Sequence, residues 1–512
     1  MELGACRRSL RVNSVEAPAG TPGVIRSPAR RRLAVGSLTV VMAALLLSQF
    51  VGNMNSTIIT TALPTVIDSL HGTTVEYSWV MTATILGLTA STPIWSRLAD
   101  VRSPKTLMQI GIGVFVLGAL AAGLAQSPLM LIAARAITGV GLGGMISLVQ
   151  VILALLVPPR RRSRYLAWLS AVQLVATLGG PFIGGVLVST TGLGWRWCFL
   201  AGVPIAVAAA VVLQITLKVQ SKGGSAQIDY LGAVLIAVGV SMLLAWASLV
   251  QGTFAFVSWT SLALAGGGIL IIGGAIITEL RAAKPIVPLR LFSRRVPLLS
   301  IIASLSVGCT MFGGSIFLSQ YFQYGRGLTP TESGLMLVTM AGGTVASSFA
   351  AGAVISRTGR LKGTLIAGMA LLVGNTAALS QIRPDTPIPL VALLLLFDGI
   401  GMGATAQYLV LGVQNMVGVA DVGAASGGVT FFRSLGGSLT LAALGGFLAT
   451  RLSLYQAAGD SVSHSYLVAV PQVFLVTLWM TVPGLIAVIL LPRIRLRETI
   501  DLVTAVPEAE AF

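Results

Sequence analysis

The feature that most constrains this chain is a series of apolar runs, each about 20 residues long, that follow one another almost from end to end. At 1.5 Å per helical residue, such a run crosses roughly 30 Å of hydrocarbon, where a spanning segment must satisfy its own backbone polar groups, as an α-helix does. Fourteen runs qualify: 36–64, 78–97, 106–126, 129–156, 165–189, 197–217, 230–250, 258–278, 298–320, 332–355, 363–381, 388–412, 422–449 and 469–491. Composition points the same way: only 10% of the 512 residues are charged, against roughly a quarter in a soluble domain. The expected fold is an all-α polytopic membrane protein with fourteen transmembrane helices.

An even number of crossings puts both termini on one side, and the Lys/Arg bias tests this. Of the 33 Lys and Arg residues, 27 fall in the tails and loops on the side of the termini and four on the other, while Arg135 and Arg433 lie inside spans. Both termini are therefore expected in the cytoplasm, with the protein in the plasma (inner) membrane. The net charge of +17 reads as topology rather than as a nucleic-acid surface, because no solvent-exposed domain gathers it. Residues 1–33, rich in Arg, Pro, Ser and Gly, read as a disordered basic tail, and 493–512 as a second cytoplasmic tail. Three cysteines imply no disulfide framework. His71 and His464 fall in loops on the far side, so no metal site is expected. Without a GxxxxGK[ST] loop, direct use of ATP has no support, and no cofactor is expected.

Charges left within the membrane are expensive and mark cavities, partners or function. Of sixteen acidic residues only Asp398 lies deep in a span, in LLLLFDGIGMGATAQ, about ten residues from the start of the twelfth run. Arg433, in VTFFRSLGGSLT, lies about eleven residues into the thirteenth, so the two are expected at similar depth, as an ion pair joining two helices or as groups with a proton or substrate role. Gln150, Gln173, Gln320, Gln407, Gln414 and Asn415 are further polar span residues, suited to bridging helices or lining a cavity, with Gln407 assigned to the substrate pathway.

The fifth run contains ATLGGPFIGG, a cluster of helix breakers. Gly180 and Gly184 form a small-xxx-small face that lets backbones approach, and Pro181 removes a hydrogen bond and predicts a kink. Helix packing alone would explain a lone GxxxG. The fuller string GGPFIGG, with Gly180, Pro181, Gly184 and Gly185, resembles the antiporter motif in the fifth span of major facilitator superfamily exporters. LIAARAITGVGLGG (131–144) resembles that superfamily's fourth-span motif, with Arg135, Gly139 and Gly143 matching. WRWCFLAGVP (195–204), DYLGA (229–233), PLRLF (288–292) and FFRSLGG (431–437) are similar to segments of its fourteen-span drug:proton antiporter family. The ordered series covers about residues 35 to 495.

That resemblance implies two six-helix bundles, 34–220 and 286–492, separated by two inserted helices at 221–285, with alternating access to a cavity near the midplane. It also implies a gating latch after the second span. SRLADVRSPK (96–105) is similar to the family's loop, with Asp100 and Lys105 matching and Arg102 beside them. Its pseudo-repeat GAVISRTGRLK (352–362) keeps Arg357 and Arg360 but has Ser356 where an acid is usual. The alternative is that these charges serve only to set topology.

The most informative departure lies in the first span. Relatives commonly carry an Asp in a string resembling LDxTIVxxALP, whereas MNSTIITTALP (54–64) has Asn55 at that position, and an amide carries no proton. Proton coupling would then pass to Asp398, or transport would be uncoupled. With fewer negative charges, preference for lipophilic cations should weaken in favour of neutral amphiphiles, anionic metabolites or lipids, around a pathway of Asn55, Arg135, Arg433 and Gln407. The expected function is a monomeric secondary transporter that exports small hydrophobic or amphiphilic compounds in exchange for protons, its partners being a small-molecule substrate, protons and the lipid bilayer. Export of an endogenous lipid or metabolite is the alternative. No catalytic residue is assigned: one deep acid and two loop histidines supply little of what a polytopic enzyme needs, and the inter-span loops leave no room for a catalytic domain.

Overall fold

A computed structural model describes residues 35–190, 194–217, 230–249, 258–281, 294–418 and 421–499. The expected tail 1–33, the PLRLF segment and the end of the second tail lie outside these residues. The main helices are α1 (Val35–Ser69), α2 (Thr74–Val101), α3 (Pro104–Gly123), α4 (Pro128–Leu156), α5 (Pro159–Ser189), α6 (Gly202–Thr216, after a single turn at Trp197–Leu200), α7 (Tyr230–Leu249) and α8 (Trp259–Arg281). They continue with α9 (Arg295–Gln320, followed by a π-turn to Gly325), α10 (Pro330–Thr358), α11 (Lys362–Leu379), α12 (Ile388–Met416), α13 (Val422–Ala457) and α14 (Val462–Leu490). Among the described residues no strand forms, and one isolated bridge joins Arg360 to Arg495.

Twelve of these segments are long and apolar enough to cross a membrane. The other two are α2, which carries Glu76, Arg97 and Asp100 among many Thr and Ser residues, and α7, whose apolar part is the shorter Leu231–Trp246. Large apolar side chains such as Phe182, Leu270 and Trp479 stand exposed on the outer surface, as a lipid-facing surface requires. Local signals set the helix ends. Thr73 with Glu76, and Thr329 with Glu332, form capping boxes that start α2 and α10. Ser127 caps α4 with Pro128 at its first turn. Gly359 stops α10 at a φ of 68°, where a side chain would be strained.

Helices α1 to α6 pack as one set (α2 on α4, α3 on α4, α1 on α5 and α6), and α9 to α14 as another (α9 on α13 and α14, α10 on α12, α11 on α12 and α14). Helix α7 lies beside α2 and α13, and α8 packs on α7. The sets meet where α5 packs on α10 and α2 on α13. The apolar core shows how they meet. On the side where α1 begins and α14 ends, called here the terminal side, one continuous cluster runs from Leu45, Met108 and Leu153 of the first set to Leu361, Tyr408 and Leu411 of the second. On the opposite side it divides in two, around Ile59, Leu63 and Phe199 in the first set and around Phe317, Leu395 and Phe474 in the second. The halves are fused at one end and separately cored at the other.

Glycine permits the tightest approaches. A Cβ on Gly139 would strike the Thr84 carbonyl across the α2–α4 contact, and one on Gly399 would strike that of Met340 across α10–α12. Helix α5 runs as a continuous α-helix through Pro181.

Candidate functional site

The polar face of α1 explains how a cavity forms in so apolar a protein. Gln49, Asn53 and Ser56 recur at helical spacing, and Met81, Thr84, Leu88 and Thr92 do the same on α2, so each helix turns one stripe inward. With α4, α5, α9, α12 and α13 they enclose a cavity of about 370 Å³ lined by Arg135, Gln150, Gln173, Gln407 and Arg433 among others. A second lobe of about 240 Å³, between α5, α9, α10 and α12, shares Gln173, Thr177, Met311, Gln407 and Arg433 with it. Neither lobe has an Asp or Glu among its described lining residues.

Arg135 is 1% exposed. Its Nη1 donates to Asn55 Oδ1 at 2.8 Å, its guanidinium lies 5.9 Å from the centre of the Phe199 ring, and its buried Nε has no hydrogen-bond partner. Arg433 donates from Nη1 to the Ala406 carbonyl at 2.8 Å. Of the expected pathway residues, Arg135, Arg433 and Gln407 line the cavity, and Asn55 touches it through Arg135.

Asp398 is placed differently. It is 2% exposed, packed beside Gly314 of α9, and accepts a hydrogen bond from Asn375 Nδ2 of α11 at 3.3 Å, while its Oδ2 and the Asn375 Oδ1 have no partner. It is not among the lining residues of either lobe. The expected equal depth of Asp398 and Arg433 does not hold. Arg433 bonds α12 at Ala406, eight residues and so about 12 Å further along than Asp398. The reason is helix length: α12 and α13 have 29 and 36 residues, so counting inward from each end of shorter spans brought the two charges to a common level they do not share.

Below the cavity the terminal side is sealed. Gln150 Nε2 donates to Gln407 Oε1 at 3.4 Å, and the Thr430 hydroxyl donates to Gln150 Oε1 at 3.4 Å. Ser348 Oγ donates to Ser170 Oγ at 3.1 Å, and Ser163 Oγ to the Gly352 carbonyl at 3.1 Å. At the helix ends there are two arms. In one, Asp100 from the end of α2 accepts from the Gly423 and Ala424 amides at the start of α13, each at 2.8 Å. Arg97 pairs with Asp100 at 3.4 Å and with Asp421 at 3.2 Å. Asp421, the residue before α13, makes no side-chain cap of its own, so Asp100 caps that helix from the other half. In the second arm, Arg160 at the start of α5 donates to the Ser356 and Arg357 carbonyls at the end of α10 (3.0 and 2.6 Å) and pairs with Glu498, while Arg164 donates to Ser356 Oγ at 3.0 Å. Arg162 donates to Gln414 at 2.6 Å.

Of the expected latch residues, Asp100 bridges the halves. Lys105 instead donates to the Gln214 carbonyl within the first half at 2.6 Å, and the Arg102, Arg357 and Arg360 side chains are exposed. The bridging roles of Arg97, Arg160, Arg162 and Asp421 were not assigned from the sequence. Arg97 sits inside the quoted latch motif, but the others gave no signal short of knowing which helix ends meet. In the fifth-span motif, a Cβ on Gly180 would collide with Thr57 Oγ1 of α1, and that hydroxyl donates to the Ala176 carbonyl at 3.0 Å. Gly184 accepts from Cys198 Sγ at 3.9 Å, and Gly185 is exposed with open space around it. Among the described residues no group of His, Cys, Asp and Glu could hold a metal ion.

A cavity between two six-helix sets, joined at one end and apart at the other, is the architecture of a membrane transporter, and comparison with known proteins agrees. The sequence profile of the Major Facilitator Superfamily matches residues 45–441, and the chain belongs to that superfamily. An uncharacterized MFS-type transporter of Mycobacterium tuberculosis is 34% identical over 516 aligned positions, covering 95% of this chain and 74% of its own length. The multidrug transporter protein MdtP of Bacillus subtilis is 27% identical over 413 positions, covering 81% of this chain and 76% of its own. Among solved structures, the proton:xylose symporter XylE superposes with a TM-score of 0.59 at 11% identity, over 87% of this chain and 95% of its own, and so shares the fold.

Proposed function

We propose that this protein is a secondary exporter of small amphiphilic compounds, driven by proton exchange through alternating access. The observation that carries this reading is the division of the core, continuous across both halves on the terminal side and separate on the other, with the cavity above the joined end. A cavity closed beneath and flanked by two separately cored halves is one of the two states such a cycle needs. The polar sealing contacts are hydrogen bonds between helix faces and hydrogen bonds and ion pairs between helix ends, which can exchange with water when the halves rock apart.

In this reading the terminal side is cytoplasmic, as the Lys/Arg bias favours, and the structure is an outward-facing state. The halves 34–220 and 286–492 move against each other, with the inserted pair 221–285 beside them, in a fourteen-span protein of the drug:proton antiporter type that works as a monomer in the plasma membrane. Asp398 is the coupling group. In an apolar interior with no cation beside it the ionised carboxyl is the costly form, so the residue exchanges its proton as the halves rearrange. Relatives named as a multidrug transporter and as efflux pumps support the outward direction. The test uses inside-out vesicles with an acid interior, to which lipophilic drugs and lipids are added one at a time. Cargo-dependent loss of the gradient, abolished by Asp398→Asn with insertion unchanged, is expected.

A second reading is favoured by two observations: Asn55 stands where the resembled family commonly has an acid, and Asp398 lies off the cavity lining. In that case transport is uncoupled from protons, and the same assay gives cargo movement without proton flux, identical in wild type and Asp398→Asn.

A further inference from the structure

The cavity's charge is one-sided. Arg135 and Arg433 line its larger lobe, no carboxylate is found among the described lining residues of either lobe, and the protein acceptors bonded to the two guanidinium groups are neutral: the Asn55 amide and the Ala406 carbonyl. Arg135 is almost completely buried, with its Nε unbonded. A buried guanidinium without a counter-charge is an expensive arrangement, and it becomes favourable when an anion supplies both the charge and the missing acceptors. Asp398, the deep acid of α12, accepts from Asn375 and is not among the lining residues of either lobe. The rest of the lining mixes uncharged Gln, Asn, Ser and Thr side chains with the apolar Met81, Ile85, Leu88, Ile146, Leu169 and Met311, which suit an apolar body. The lobe's volume of about 370 Å³ is within the range of drug-sized sites.

We propose that the cargo is an amphiphilic organic anion, a single carboxylate or sulfonate head on an apolar body, its head taking hydrogen bonds from Arg135, whose Nε lacks an acceptor, while Arg433 adds positive charge to the same cavity. This rests on the transporter reading and narrows it to a substrate class. Asn55 is the specificity-determining residue. As an amide it holds the Arg135 guanidinium in place without neutralising it, whereas a carboxylate there would pair with Arg135 and remove half of the charge that attracts the anion. A cationic drug of the same size meets repulsion in this cavity with no compensating acid.

The test uses two fluorescent probes with the same body and opposite heads, 1-pyrenebutyrate and (1-pyrenebutyl)trimethylammonium, titrated by anisotropy into the purified full-length protein with empty micelles subtracted. The anion is expected to bind at least about tenfold tighter than the cation, the gain of one charge-assisted contact to arginine. Asn55→Asp and Arg135→Gln, each checked for monodisperse elution, should both shrink that ratio below about threefold. Equal or tighter binding of the cation, no binding of the anion, or an unchanged ratio in both variants overturns the proposal. Counterflow of the same probes in proteoliposomes separates the two levels of the argument. Counterflow of the cation alone overturns the anionic cargo and leaves the transporter reading standing, whereas anion binding without counterflow supports the anion site and overturns the transporter.

Discussion

The two halves of the molecule place an ionisable side chain and an asparagine amide together at membrane depth on related helices, yet put them to different use. In the first half Arg135 of α4, held by Asn55 of α1, faces the cavity. In the second half Asp398, on α12, the fourth helix of its set, is held by Asn375 of α11 and lies outside the cavity lining. The sealed side repeats the contrast. Where α2 meets α13, an acid from the ending helix binds the amides of the starting helix; where α10 meets α5, an arginine from the starting helix binds the carbonyls of the ending one. Both arms complement a helix dipole, one at its positive and one at its negative end. The difference teaches that equivalent positions in two halves fix where a charge can sit, while the neighbouring helix decides whether it serves cargo, protons or closure.

Four substitutions can break or sharpen that comparison. The largest effect is expected from Arg135→Ala, which removes the buried charge of the cavity and leaves Asn55 unpaired; cargo counterflow should fall by about 100-fold or more with the protein still inserted. A loss of only a few-fold would mean that the first-half centre is structural. Next is Asp100→Ala. It deletes two buried charge-assisted bonds at a helix start, about 2 kcal/mol in all, or about 30-fold in the population of the sealed state. Double electron–electron resonance between labels on the ends of α2 and α13 reads that population.

Asp398→Asn keeps the shape of the second centre and removes its proton. Proton flux per unit cargo should drop at least about tenfold while cargo exchange at equal pH persists, because the affected group is not in contact with cargo. Loss of exchange as well would erase the distinction between the two centres. The smallest effect belongs to Arg160→Ala. Its side chain is 30% exposed and therefore screened, so the sealed population should change by only about fivefold, or about 1 kcal/mol. If Arg160→Ala opens the seal further than Asp100→Ala does, the ranking of the two arms is reversed.

Much of this was legible along the chain. Apolar runs of membrane length located the helices to within a few residues at most ends, because hydrocarbon imposes a minimum apolar length on a spanning helix. Arg135 and Asp398 stood out because charges in such runs are rare, and Gly180 because small residues permit close backbones. The polar stripe of α1, Gln49, Asn53 and Ser56, was also readable by its spacing, but without neighbours a polar stripe is equally a packing face. The latch was half legible: Asp100 was found through its motif, whereas Arg160 and Asp421 are unremarkable charges at loop positions until the helix ends that meet across the halves are known.

What the sequence by itself determined was the solvent of the chain, the order of its apolar runs, the two-sidedness of its basic loops, and Arg135 and Asp398 as charges inside spans. Those follow from local chemistry: hydropathy, length and the cost of charge in lipid act residue by residue. What only the tertiary structure decided was which charges face one another. Asp398 and Arg433 lie on consecutive helices and yet do not pair, while Asp100 and Gly423, 323 residues apart, do. Depth along each helix and rotation about its axis set those partnerships, and both are fixed only when the helices pack together.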